Sequence, residues 1–151
     1  MFAKSRSLIK AQLKQGLSVS GLAKTLAAGA ICGTFPLLGC TTVLSLVTGS
    51  IFKLNHPLLQ MVNHLLAAVQ IILIPVYISI GEKIVGADPI SLNIKVMVQE
   101  FSSDLMLFLK DYGMAGLYAI LAWALLSIPL GFLVYYISKY FLSKSKLGRA
   151  S

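Results

Sequence analysis

The stretch TLAAGAICGTFPLLGCTTVLSLVTGSIF, residues 25–52, contains no Asp, Glu, Lys or Arg, yet carries Phe35-Pro36-Leu37-Leu38-Gly39 at its middle. Its length suits a bilayer crossing, for which about 20 apolar helical residues suffice at ~1.5 Å each. Its middle does not suit a straight helix. Proline lacks an N–H and disfavours helix in the residue before it, and glycine admits the backbone angles that end one. The halves, Leu22 to Thr34 and Thr41 to Phe52, are each too short to span. A broken or re-entrant segment is therefore expected over about 21–52, with Ser18 or Ser20 placed to cap a first helix beginning near Gly21.

Two further stretches, 54–81 and 112–138, are also free of charge. With 57% hydrophobic and 12% charged residues and a mean hydropathy of +0.84 over 151 residues, the chain departs from soluble domains, where about a quarter of residues are charged. The expectation is an all-α integral membrane protein of one domain, 1–151, with spanning helices at about 57–81 and 112–138. Lys53-Leu54-Asn55-His56-Pro57 forms an interfacial turn, Pro57 suiting the first turn of the next helix. Tyr135, Tyr136 and Tyr140 resemble an interfacial belt. Residues 82–111 hold three lysines, all five acids and an Ile94, Met97, Val98, Phe101, Leu105, Phe108, Leu109 stripe. They predict an amphipathic interfacial helix at about 91–110. Residues 1–16 read as a basic amphipathic segment on the membrane surface.

Charge placement separates two topologies. If all three charge-free stretches crossed, eight basic residues would lie on the N-terminal side and five opposite. If the first dips in and returns, Lys53 and the C-terminus rejoin the N-terminus, giving ten against three. The positive-inside rule favours the second arrangement, with both termini cytoplasmic in a multi-pass protein. Broken backbone is tolerated at membrane depth only where protein or a wet cavity meets its polar groups. Two spans supply little protein for this, so a homo-oligomer is expected, with Gly29 and Gly33 offering a GxxxG face for close helix contact.

The net charge of +8 sits at the two ends of the chain. It points to the bilayer and anionic lipid headgroups as partners, not nucleic acid. Cys32 and Cys40 read as small apolar residues. A signal peptide is not expected, because 24 residues precede the first apolar core and more apolar segments follow. Leu37-Leu38-Gly39-Cys40 loosely resembles a lipoprotein cleavage box, against which Pro36 and the long start both argue.

Gly33-Thr34-Phe35-Pro36-Leu37-Leu38-Gly39-Cys40-Thr41-Thr42, then Lys53-Leu54-Asn55-His56-Pro57, then Asn63 in an apolar helix closed by Gly81, together resemble the bacterial membrane proteins grouped as domain of unknown function 2062 (DUF2062). The resemblance covers roughly residues 17–88. Many relatives carry proline directly after the Asn of the second helix; His64 stands there in this chain, so no backbone break is carried over to that point. The resemblance implies a small integral protein of the bacterial inner membrane and brings no established activity.

Two groups of residues are candidates for a substrate path. Thr34, Pro36, Gly39, Thr41 and Thr42 surround the break, where helix ends can hold ions or anionic groups; the alternative is a turn whose threonines satisfy local carbonyls. Asn63, His64 and Gln70 share an arc of roughly 140° with Gln60 and Tyr77 at 3.6 residues per turn, and Asn55 stands at the turn leading in. The alternative there is hydrogen bonding between helices. The best reading is a transporter or channel-like protein for a small solute, ion or lipid headgroup; the alternative is a non-catalytic accessory or scaffold protein binding partners or anionic lipid. No catalytic set, metal site or cofactor is expected: the spans lack carboxylates, no Cys and His fall at ligand spacing, and Glu82 is an isolated acid.

Overall fold

The computed structural model describes residues 18–145, and among these every regular element is a helix. In chain order they are α1 (Val19–Gly33), α2 (Thr41–Ile51), α3 (His56–Leu65), α4 (Ala67–Val85), α5 (Ile94–Ser103) and α6 (Leu105–Lys144). The expected surface segment 1–16 lies outside the described residues. Two helices, α4 and α6, are long and apolar enough to cross a membrane. At 15 and 11 residues, α1 and α2 are not.

Ser18 caps α1, its Oγ accepting from the Gly21 N–H at 3.0 Å. The chain leaves the helix after Gly33 and resumes at Thr41, passing through Gly39 at φ +84°, a conformation that only glycine adopts cheaply. Then α2 folds back on α1. Cys32 Sγ meets Thr48 Oγ1 at 3.6 Å, and beyond α2 the Asn55 N–H donates to Thr25 Oγ1 at 3.4 Å. The first apolar stretch is thus a helical hairpin whose return arm ends opposite the first half of α1. Lys53, at φ +51°, and the Asn55 cap, whose Oδ1 accepts from Leu58 N–H at 2.8 Å, reverse the chain into α3.

Alongside α1, α3 runs in the same direction. Gly29 lies against Leu59 and Val62, and Gly33 against Asn63 and Leu66. A Cβ at Gly29 would sit 2.8 Å from that of Val62, so the absent side chain is what admits α3. The GxxxG face is therefore filled from within the same chain instead of by a second copy.

Three boundaries differ from the expectation. The second apolar helix is interrupted at Leu66, whose backbone takes φ −88°, ψ −2° and whose N–H is shared between the Val62 and Asn63 carbonyls. No proline causes this, and i→i−4 bonds on either side, from the Leu66 N–H to the Val62 carbonyl at 3.1 Å and from the Gln70 N–H to the Leu66 carbonyl at 2.8 Å, carry the chain on into α4. The amphipathic helix is shorter, Ile94–Ser103, because Asp104 leaves the helical conformation and uses its Oδ1 to accept from the N–H groups of both Met106 and Leu107 at 3.0 Å. The stripe from Leu105 onward belongs to α6, which extends the expected 112–138 segment to 40 residues.

Both α1 and α4 pack along α6, one after the other. Ser20 Oγ lies 3.2 Å from Tyr135 OH and Trp123 Nε1 donates to the Ile31 carbonyl at 3.1 Å, placing α1 beside the later part of α6. Tyr77 and Ile78 of α4 bury themselves against Ala115, Ala119 and Ala122 of the earlier part. Small residues at that spacing let the helices approach closely. At Gly81 the approach is so close that a Cβ would collide with the Tyr118 carbonyl.

That contact yields a test. Gly81→Ala should cost about 1–3 kcal/mol through overpacking. Gly113→Ala, in the same bundle but with open space around it, should be neutral or stabilising. Thermal unfolding in detergent distinguishes them; equal melting temperatures would contradict the packing.

Candidate functional site: a polar seam beside two helix interruptions

The backbone carbonyls exposed by the first break are met from three sides. Thr34 Oγ1 donates back to the Ala30 carbonyl at 3.0 Å and to the Ile31 carbonyl at 3.2 Å, and Trp123 reaches Ile31 from α6. Phe35 N–H donates to the Cys32 carbonyl at 3.2 Å. From α4, Gln70 Nε2 donates to the Phe35 carbonyl at 2.8 Å and to that of Leu37 at 3.4 Å. The Phe35 ring stands edge-on to Trp123, centroids 4.9 Å apart, and Pro36 is buried behind it. Thr34, Pro36 and Gln70 thus shape and seal a turn. Gly39 turns the chain at the exposed end of the break, beside Leu37, Leu38 and Cys40.

The second interruption is adjacent. Leu66 packs on Gly33, the last residue of α1, and Gln70 lies one turn farther on. Both interruptions therefore meet near Trp123, close to the centre of the charge-free 112–138 part of α6.

Leading away from this junction is the contact between α2 and α3, which run antiparallel. Gln60 Nε2 donates to the Thr42 carbonyl at 3.3 Å near one end, and His56 packs over Gly49 near the other. At helical spacing with these contacts fall Thr41, Ser45 and Gly49 of α2 and His56, Gln60 and Asn63 of α3, Ser45 also standing beside the Cys32 thiol and Asn63 against Gly33, both of α1. Four buried atoms along these faces make no ordinary hydrogen bond: Ser45 Oγ, which has only the weakly bonding Cys32 thiol beside it, His56 Nδ1, Gln60 Oε1 and Asn63 Oδ1. Ser45 is wholly buried and Asn63 is 3% exposed. Each such atom costs roughly 1–3 kcal/mol when left unpaired, so four of them are expensive for so small a protein.

Of the arc of Gln60, Asn63, His64, Gln70 and Tyr77, Asn63, Gln70 and Tyr77 are buried against protein and Gln60 is half-buried, as a polar face turned from lipid requires, while His64 at its edge is exposed. Gln60 and Asn63 lie along the seam, Gln70 seals the break, and Tyr77 joins the α4–α6 core. Asn55 acts as the cap of α3, Thr41 is buried at the start of the seam and the Thr42 side chain is exposed. Ser45 and His56 join the seam although neither was a candidate from sequence. Their signal was the Thr41, Ser45, Gly49 run of small residues at four-residue spacing, facing a helix that begins at His56. Glu82 is buried and structural: its Oε1 accepts from the Ile90 N–H at 2.9 Å, tying down the α4–α5 connection. Among the described residues, no three His, Cys, Asp or Glu side chains converge as metal ligands, and Cys32 and Cys40 are both free thiols.

The ordered parts, a helix ending at Gly33, a return arm, the Asn55-capped turn and an Asn63 helix closed by Gly81, form one continuous unit. The chain belongs to the DUF2062 family. The family model, described as an uncharacterized protein conserved in bacteria, matches residues 4–150, well beyond the 17–88 core that carries the resemblance. No curated protein and no solved structure matches the chain. In this DUF2062 protein the break is thus part of a fold that extends through α6.

Gln70 provides the test of the sealed turn. Gln70→Leu keeps the bulk of the side chain but leaves the Phe35 and Leu37 carbonyls without that donor, and should destabilise by about 1–3 kcal/mol. Thermal melting should fall relative to the exposed His64→Leu substitution; equal melting would show that Gln70 does not hold the break.

Proposed function

We propose that this protein is a multi-pass protein of the bacterial cytoplasmic membrane that moves a small cation or hydrogen-bond-donating solute along the α2–α3 seam. In the proposed topology both termini are cytoplasmic. Residues 56–85 and α6 cross, and the α1–α2 hairpin enters and returns on the cytoplasmic side. Supporting this, ten of the 13 basic residues fall on that side while all five acids fall on the other. Interrupted helices that meet near the bilayer midplane are a recurring way to build a transport site, since irregular backbone and polar side chains are tolerated where they line a path.

The observation that carries the proposal is the set of unpartnered polar atoms along the α2–α3 contact that leads away from the first break. Asn63 Oδ1 and Gln60 Oε1 are acceptors, and Ser45 Oγ and His56 Nδ1 can accept. A donor or a cation therefore complements them better than an anion does. Two spanning elements enclose little volume, so the proposal includes assembly of several copies, closing the exposed side of the seam at Thr42 and His64.

The internal bonding of the first break favours a second reading, a non-catalytic accessory protein in which the hairpin is only architecture. Flux measurements separate the two. Full-length protein in liposomes should pass at least one of Na⁺, K⁺ and glycerol faster than empty vesicles do. Ser45→Ala and Asn63→Leu should remove most of that flux while leaving the melting temperature unchanged or higher, because each deletes a buried atom that makes no ordinary hydrogen bond. No flux of any probe, or lower stability with unaltered flux, would instead leave the accessory reading.

A further inference from the structure

A groove of about 770 Å³ lies between the α1–α2 hairpin and the later half of α6. It is separate from the α2–α3 seam, and its volume falls in the range of sites that hold small ligands. Its walls are apolar, with Ala27, Ile31, Leu44, Trp123, Ile128 and Phe132 among them. From Trp123 to Tyr135 along α6 the groove measures about 18 Å at ~1.5 Å per residue. One leaflet of hydrocarbon is about 15 Å, half of a core of about 30 Å. A stretched acyl chain standing in one leaflet matches that length.

Only one end of the groove is charged. Lys24 lines it there, across from Tyr135, and Lys139 Nζ stands 5.6 Å over the centre of the Tyr135 ring. Lys53 falls between the lining residues Phe52 and Leu54. No acidic residue occurs anywhere in 1–81 or 112–151, so nothing at this end offsets the three cations. An exposed lysine at the mouth of an apolar slot one leaflet long is complementary to a lipid whose headgroup is anionic.

We propose that this groove holds an acyl chain of an anionic phospholipid, with the lipid phosphate at Lys24. The site shares with the transport proposal only the placement in a bilayer, so either can fail without the other.

Trp123 is the sole tryptophan of the chain and lines the groove, which makes it a built-in reporter. Full-length protein is reconstituted in phosphatidylcholine vesicles, and increasing fractions of phosphatidylglycerol or of phosphatidylcholine, each with the same brominated acyl chains, are introduced to quench its fluorescence. Brominated phosphatidylglycerol should reach half-maximal quenching at a several-fold lower mole fraction. Lys24→Gln should bring the two curves together, while Lys24→Arg and Lys95→Gln should keep them apart. Lys24 is exposed, so its replacement leaves the fold intact, as unchanged circular dichroism would verify. Coincident curves in the native chain overturn the proposal, as does preserved selectivity in Lys24→Gln. Absence of quenching by either lipid overturns it too, since that result means a second copy or another protein segment fills the groove.

Discussion

A backbone that leaves the helix in apolar surroundings must find hydrogen-bond partners for its carbonyls, and in this protein Gln70 and Trp123 bring them from other helices. That requirement organises the fold. Gln70, in the first turn of α4 just past Leu66, reaches the Phe35 carbonyl from there. Trp123 reaches the Ile31 carbonyl from α6 and so fixes the end of α1 against it. The two interruptions thus meet in one place.

Much of this was legible in sequence because its causes are local. Pro36 and Gly39 stop the helix through their own backbone properties, and Ser18 caps through its own side chain; Asn55, read only as part of the turn and of a path, caps α3 in the same way. Leu66 was not legible, since nothing in a leucine between Leu65 and Ala67 disfavours helix. Asp104 was misread for a different reason. A charged residue within an amphipathic stripe suits the solvent face of a continuing helix as well as the start of a new one, and periodicity does not distinguish the two. The arc of Asn63, Gln70 and Tyr77 was legible as a buried face, and only His64, at its edge, turned out exposed.

The polar groups divide accordingly into those whose side-chain atoms are all met within the fold and those that keep a buried atom unmet. Thr34, Gln70, Asn55 and Glu82 each make bonds that explain their presence. Ser45, Gln60, Asn63 and His56 each retain a buried atom without an ordinary hydrogen bond. Selection for stability alone removes such groups cheaply, so their concentration in one seam is the strongest pointer to activity. The charge distribution adds a polarity to the molecule, basic at the end of the groove and acidic around α5, which gives the two proposed sites a common orientation in the bilayer.

All of this rests on the first apolar stretch returning to the side from which it started. Cysteine-accessibility labelling in intact cells measures that directly, with single probes at Lys53, Ser103 and Ser145 in a variant lacking Cys32 and Cys40. Positions 53 and 145 should be labelled only after the cytoplasmic side is opened, and position 103 without opening. Labelling of position 53 together with 103 from outside would mean that the stretch crosses, and would contradict the hairpin topology.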